Sequence, residues 1–96
     1  MLKHLVFMKF KPGTTDAQIA DLEESLGALP DIIPEIREYV FGRDVLRSER
    51  SYDFAIVSSF DDLEALGRYQ VYPEHQAVIG KVKALAESVV AVDFDY

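Results

Sequence analysis

The sequence predicts an α+β domain, one four-stranded antiparallel sheet with its helices on a single face. Three observations carry this. Apolar periodicity runs strand, helix, strand, strand, broken helix, strand along 96 residues, the order of a split βαβ unit, or ferredoxin-like arrangement. Two capping patterns, Thr15-Asp16-Ala17-Gln18 and Asp61-Asp62-Leu63-Glu64, mark helix starts. A Tyr72-Pro73 step divides the last helical stretch. Ninety-six residues build one modest core, so residues 1–96 are read as a single domain.

The elements follow in order. From Leu2 to Phe10 one parity holds Leu2, His4, Val6, Met8 and Phe10, and the other Lys3, Leu5, Phe7 and Lys9. Both faces carry apolar groups, so this strand is expected to be covered on both sides. Pro12-Gly13 ends it. Ile19, Leu22, Leu26 and Leu29 then form one helical stripe, with Asp21, Glu23 and Glu24 on the solvated side. Pro30 is expected to stop this helix and Pro34 to keep the next residues out of one. Ile36 to Phe41 reads as the second strand, with Gly42 as a bulge or close backbone approach. Arg43 to Ser51 reads as a charged loop and Tyr52 to Phe60 as the third strand. A short helix from Asp61 turns Leu63, Leu66 and Tyr69 inward, and Val89 to Phe94 is the last strand.

Proline is tolerated in the first helical turn and pushes the residue before it towards extended backbone. Tyr72 is therefore the expected cap and Pro73 the first helical residue, with a helix running over Gln76 to Ser88. His75 falls in line with Val78, Ile79, Val82, Leu85, Ala86 and Val89, so its ring is expected to point inward. The positive end of the helix disfavours an imidazolium there, and Glu74 opposes that effect. A neutral histidine is a candidate general base.

Composition excludes several roles. A formal net charge of −7 argues against nucleic acid and anionic membrane as partners, since both need clustered Lys and Arg. No cysteine is present, which removes disulfides, thiolate metal sites and thiol nucleophiles and suits a reducing, cytoplasmic setting. Met1 to Lys9 lacks the apolar core and cleavage site of a signal peptide, and no stretch is long enough for a membrane span. No His-x-x-x-His or carboxylate spacing points to a metal.

Helices cover only one sheet face. Leu5 and Phe7, then Tyr39 and Phe41, place apolar groups on both sides of the first two strands. A bare apolar face of several hundred Å² is rarely left to water. The expected cover is a second copy of the chain, making a two-fold homodimer through the sheet faces.

His4-Leu5-Val6 with Phe10-Lys11, the Pro34 to Gly42-Arg43-Asp44 segment, Tyr69 to Pro73-Glu74-His75, and the final Val92-Asp93-Phe94-Asp95-Tyr96 together resemble the stress-responsive dimeric α/β-barrel (Dabb) family. The resemblance spans Lys3 to Tyr96. It implies a ferredoxin-like protomer whose sheet packs on its twin, in agreement with the dimer argued above. It also implies candidate site residues. One plant member of the family is a cofactor-free polyketide cyclase, closing a linear poly-β-keto thioester by intramolecular aldol chemistry. Its catalytic histidine and tyrosine match His75 and Tyr69, and a further histidine matches His4. By that resemblance, His75 takes a proton from the carbon between two carbonyls, Tyr69 holds the enolate oxygen, and His4 orients the substrate. Tyr72 and Phe41 are the expected substrate-binding neighbours, standing where relatives often carry His and Trp. Some plant relatives hold magnesium on backbone carbonyls after the first helix, which would fall at Gly27 to Ile33 here.

Three readings follow. The first is a Dabb-type domain with a small apolar pocket for a small organic ligand. The second is a cofactor-free cyclase-like enzyme with His75 as base. The third is a structural stress-response barrel with a filled interior. The residues leave ordinary alternatives open: a capping His75, a core Tyr69 bonded to backbone, a satisfied core His4.

Overall fold

A computed structural model describes all residues from Met1 to Tyr96. The elements are β1 (Leu2–Phe10), α1 (Asp16–Ile32), β2 (Glu38–Arg43), β3 (Phe54–Phe60), α2 (Leu63–Gln70), α3 (Pro73–Leu85) and β4 (Ala86–Asp95). They form one antiparallel sheet in the order β2-β3-β1-β4, the expected ferredoxin-like α+β architecture.

Local chemistry sets the helix starts. The Thr15 hydroxyl accepts from the Gln18 N–H at 3.2 Å and the Gln18 side chain accepts from the Thr15 N–H at 2.8 Å, a reciprocal capping box. Asp62 caps α2 by accepting from the Ala65 N–H at 2.8 Å. Tyr72 is the extended cap of α3 and Pro73 its first residue, as the sequence requires.

Boundaries of α1, β2, β3, α3 and β4 differ from expectation. α1 continues through Pro30 to Ile32, and the Ile33 N–H still bonds to the Leu29 carbonyl at 2.9 Å. A proline near a helix end removes a single ladder bond, and burial of Leu22, Leu26 and Leu29 outweighs it. Gly27 to Ile32 is therefore helix, not loop. β2 begins two residues late, because Ile36 closes a turn on Ile33, and it extends to Arg43. Gly42 pairs in register with Ala55 and has open space where a Cβ would sit, so it marks neither bulge nor close approach. The irregularity lies between Lys9 and Phe10, against β4. β3 starts at Phe54 rather than Tyr52. α3 ends at Leu85, and Ala86 to Val89 already belong to β4. Pairing of Ala86 with Phe10 and Val89 with Met8 overrides the helical spacing of these residues.

Residues directly opposite in an antiparallel ladder share a face. Towards the helices run the rows Phe41–Ile56–Val6–Ala91 and Tyr39–Ser58–His4–Asp93. Met8, Phe54 and Phe60 on this side pack with Leu22, Leu26, Leu29, Ile33, Leu66, Tyr69 and Val78 to make the core. Away from the helices run Val40–Val57–Leu5–Val92 and Gly42–Ala55–Phe7–Val90. The middle of the bare face is thus apolar, bordered by the row Glu38–Ser59–Lys3–Phe94 with its Lys3–Glu38 ion pair, while Tyr39 and Phe41 belong to the covered side. Val40 and Val92 are 58% and 57% exposed there.

Candidate functional site

The second row on the covered side brings polar groups together. His4 projects from β1, the central strand beside β4, and Tyr39 from β2 at the sheet edge. The last turn of α2 carries Tyr69, 3% exposed, its ring centroid 4.8 Å from that of Phe60. The break at Val71-Tyr72 then lets α3 begin so that the His75 ring lies 4.1 Å, centroid to centroid, from Tyr69. Proline 73 fixes this reversal, because it cannot extend α2 with a ladder N–H but can open α3.

Each polar group has a defined partner. His75 Nδ1 lies 3.2 Å from the Gln70 carbonyl oxygen. A carbonyl only accepts, so Nδ1 carries the proton and Nε2 is the bare, basic nitrogen. Burial holds the His75 imidazole below its ordinary value; the Gln70 bond opposes this and nearby His4 adds to it. The hydroxyls of Tyr39 and Tyr69 are 2.9 Å apart. Burial raises both phenols, so both stay protonated at neutral pH. His4 Nδ1 bonds to the Asp93 carboxylate across the β1–β4 pairing.

His4, Tyr39, Tyr69 and His75 line a cavity of about 290 Å³. The sheet contributes Val6, Met8, Ile56 and Val89, α1 contributes Leu26, and α3 contributes Val78, Ile79 and Val82. Apart from His4, His75 and Lys83, every lining residue is aliphatic, aromatic or Met. Lys83 lies two turns beyond His75 on α3, about 12 Å along the axis at 1.5 Å per residue. It forms no ion pair.

The cavity thus joins three of the residues singled out in the sequence: His4, Tyr69 and His75. It does not include the other two. Phe41 faces α1, stacks on Phe54 at 6.1 Å, and would meet a Cβ on Gly27 at 3.8 Å. Tyr72 packs against the core as the cap of α3. Two residues were missed. Tyr39 and Asp93 belong to the site through the strand register, Tyr39–Ser58–His4–Asp93, which alternation within one strand does not reveal. No group of three or more His, Cys, Asp or Glu side chains is placed to hold a metal ion.

The arrangement offers a bare nitrogen, a pair of neutral phenols and a carboxylate-bound imidazole on the wall of an otherwise apolar hollow. Such a site can bind a small apolar molecule with a carbonyl or hydroxyl head, and can take a proton from it.

Comparison with known proteins agrees with this architecture. Residues 2–96 match the family model described as Stress responsive A/B Barrel Domain. The chain is 32% identical over 98 residues to an uncharacterised protein of Streptomyces coelicolor, covering all of both. It is 26% identical over 95 residues to olivetolic acid cyclase of Cannabis sativa, covering 97% of this chain and 94% of that one. Among solved structures, a dimeric ferredoxin-like protein of unknown function from Thermobifida fusca superposes with a TM-score of 0.91 at 29% identity, covering 99% of this chain and 90% of that one.

Proposed function

The chain belongs to the family of stress-responsive A/B barrel domains, and from that premise we propose that it works as a homodimer whose protomers each bind a small organic ligand between sheet and helices. One observation carries the reading: the cavity of about 290 Å³ is apolar everywhere except where His4, Tyr39, Tyr69 and His75 converge and at the single Lys83. Convergent polar groups in an otherwise apolar hollow are the general signature of a small-molecule site. A purely structural barrel has no need of such a hollow, and filling it would add stability. The dimer is supported by the apolar rows on the bare sheet face and by the dimeric state named for the Thermobifida fusca structure. Titrating labelled protein with a series of small aryl ketones by NMR tests the reading. Shifts confined to residues of the cavity support it, and no saturable shift with any of them removes it.

A second reading is favoured by the fixed tautomer of His75. With Nδ1 tied to Gln70, Nε2 is the basic atom and the ring is held mainly neutral. A proton on carbon between two carbonyls is acidic enough for such a base, and a neutral phenol steadies the resulting enolate oxygen. On this reading the chain is a cofactor-free cyclase-like enzyme, with His75 as base and Tyr69 as donor. The similarity to olivetolic acid cyclase supports it at 26% identity. Assay of β-keto thioesters with wild type and His75→Ala decides: equal turnover in both takes His75 out of the chemistry.

A further inference from the structure

The two phenols leave a proton unaccounted for. Each hydroxyl has one proton to give. Tyr39 and Tyr69 face each other at 2.9 Å, and neither hydroxyl has any other partner in the protein. Whichever donates, one O–H proton is left with no acceptor, in a pair of residues that both line the cavity. Neither neighbouring histidine takes it up: His75 bonds to Gln70 and His4 to Asp93, and no hydrogen bond joins either phenol to an imidazole nitrogen. A polar hydrogen left unpaired in a buried place is costly, so a bound acceptor is favoured there.

We propose that Tyr39 is a second ligand-binding residue and that Tyr39 and Tyr69 act as one proton-donating unit for an oxygen of the ligand. This rests on the cavity being a ligand site. The acceptor phenol's own proton points to the ligand oxygen, and the bond between the phenols strengthens it by polarisation. His75, whose ring centroid lies 4.1 Å from that of Tyr69, accepts from a ligand O–H at its bare Nε2. The chemical class this selects is a small apolar molecule with an enolic or phenolic head: one oxygen that both gives a proton to His75 and receives one from the phenols. As the ligand oxygen loses its proton, that proton passes to His75 Nε2. The oxyanion remains on the ligand, facing the phenolic O–H, and net charge is unchanged.

The probes are p-nitrophenol and nitrobenzene, alike in shape except for the hydroxyl. p-Nitrophenol reports its own ionisation by colour. Wild type is expected to bind p-nitrophenol at least roughly tenfold more tightly than nitrobenzene, the scale of a hydrogen bond to a charged group. The phenolate band should grow on binding. Tyr39→Phe and Tyr69→Phe should each lose that margin, and the double variant should lose no more than either alone. Tyr39→Phe keeping the full margin would overturn the proposal, and so would losses that simply add. If wild type binds both probes equally, the phenol unit is wrong while the cavity reading stands; if it binds neither, the cavity reading itself falls. The wild-type comparison needs no variant to fold.

Discussion

His75 donates through Nδ1 to the main-chain carbonyl of Gln70, 3.2 Å away and five residues back across the Pro73 break. The Gln76 side chain donates to the same oxygen at 2.6 Å, so the carbonyl accepts from both residues. The imidazole is thereby fixed in one tautomer. Burial lowers its affinity for a proton. The folded pKa lies below the unfolded one, so the unfolded chain binds more protons between the two, and stability rises with pH there. Stability from His75 is complete above the unfolded value and is lost as pH falls through the folded one. NMR titration should give His75 a midpoint below that of an unstructured histidine. Urea unfolding should show a shallower loss between neutral and mildly acid pH in His75→Gln than in wild type. A midpoint at or above the ordinary value would contradict the buried neutral ring.

Asp93 is expected to hold His4 in the same way. A carboxylate accepts, so Nδ1 carries the proton and Nε2 faces the cavity. Asp93→Ala should leave the fold intact, because β4 is an edge strand there and Asp93 is exposed. Long-range ¹H–¹⁵N spectra should then show His4 exchanging between tautomers, where wild type shows one. An unchanged His4 spectrum would mean that the ring is set by packing alone.

The bare sheet face predicts its own failure point. Val40 and Val92 stand in the row that includes Val57 and Leu5, and both are more than half exposed in the protomer. Val92→Asp therefore costs little within one chain, yet it places a charge where apolar rows would meet. Sedimentation should give dimer for wild type and monomer for Val92→Asp at the same micromolar concentration, with similar circular dichroism. A dimeric Val92→Asp would place the interface elsewhere.

Cavity substitutions should split by direction. Leu26→Ala enlarges a hollow that Leu26 lines while 1% exposed, and should destabilise by about 2–5 kcal/mol, the range for buried leucine truncation. Ile79→Phe should instead fill the hollow, hold or raise the melting temperature, and weaken ligand binding by more than roughly tenfold. Chemical denaturation and ligand titration read the two effects separately. Ile79→Phe binding as tightly as wild type would mean that ligands sit elsewhere.

Much of the fold was legible because its signals are local. Thr15 with Gln18 and Tyr72 with Pro73 each act within four residues and do what their spacing implies, whereas the cap of α2 falls on Asp62, one residue after the Asp61 on which the pattern opens, because the Asp61 carboxylate pairs with Arg37. The ends of α1 and α3 were not legible. Pro30 is overruled by leucine burial, and Ala86 to Val89 carry helical spacing but pair with β1. The site was legible in its histidines and Tyr69. Its remaining half comes from residues far apart in sequence, with Asp93 89 positions from His4 and Tyr39 30 from Tyr69. Strand register brings Asp93 to His4, and the packing of α2 on the sheet brings Tyr69 to Tyr39.

α3 passes into β4 without a single intervening residue: Leu85 closes the helix and Ala86 opens the strand. There is no slack at that joint. A guest that pushes Ile79 or Val82 outward is expected to drag the edge strand with it, and the edge strand carries Val90 and Val92 on the bare sheet face. In the proposed dimer, filling the hollow and separating the pair would then be thermodynamically tied, each changing the other's equilibrium by the same factor. A saturating guest should shift the midpoint of dissociation into single chains, and its affinity should differ between paired and single chains by that ratio.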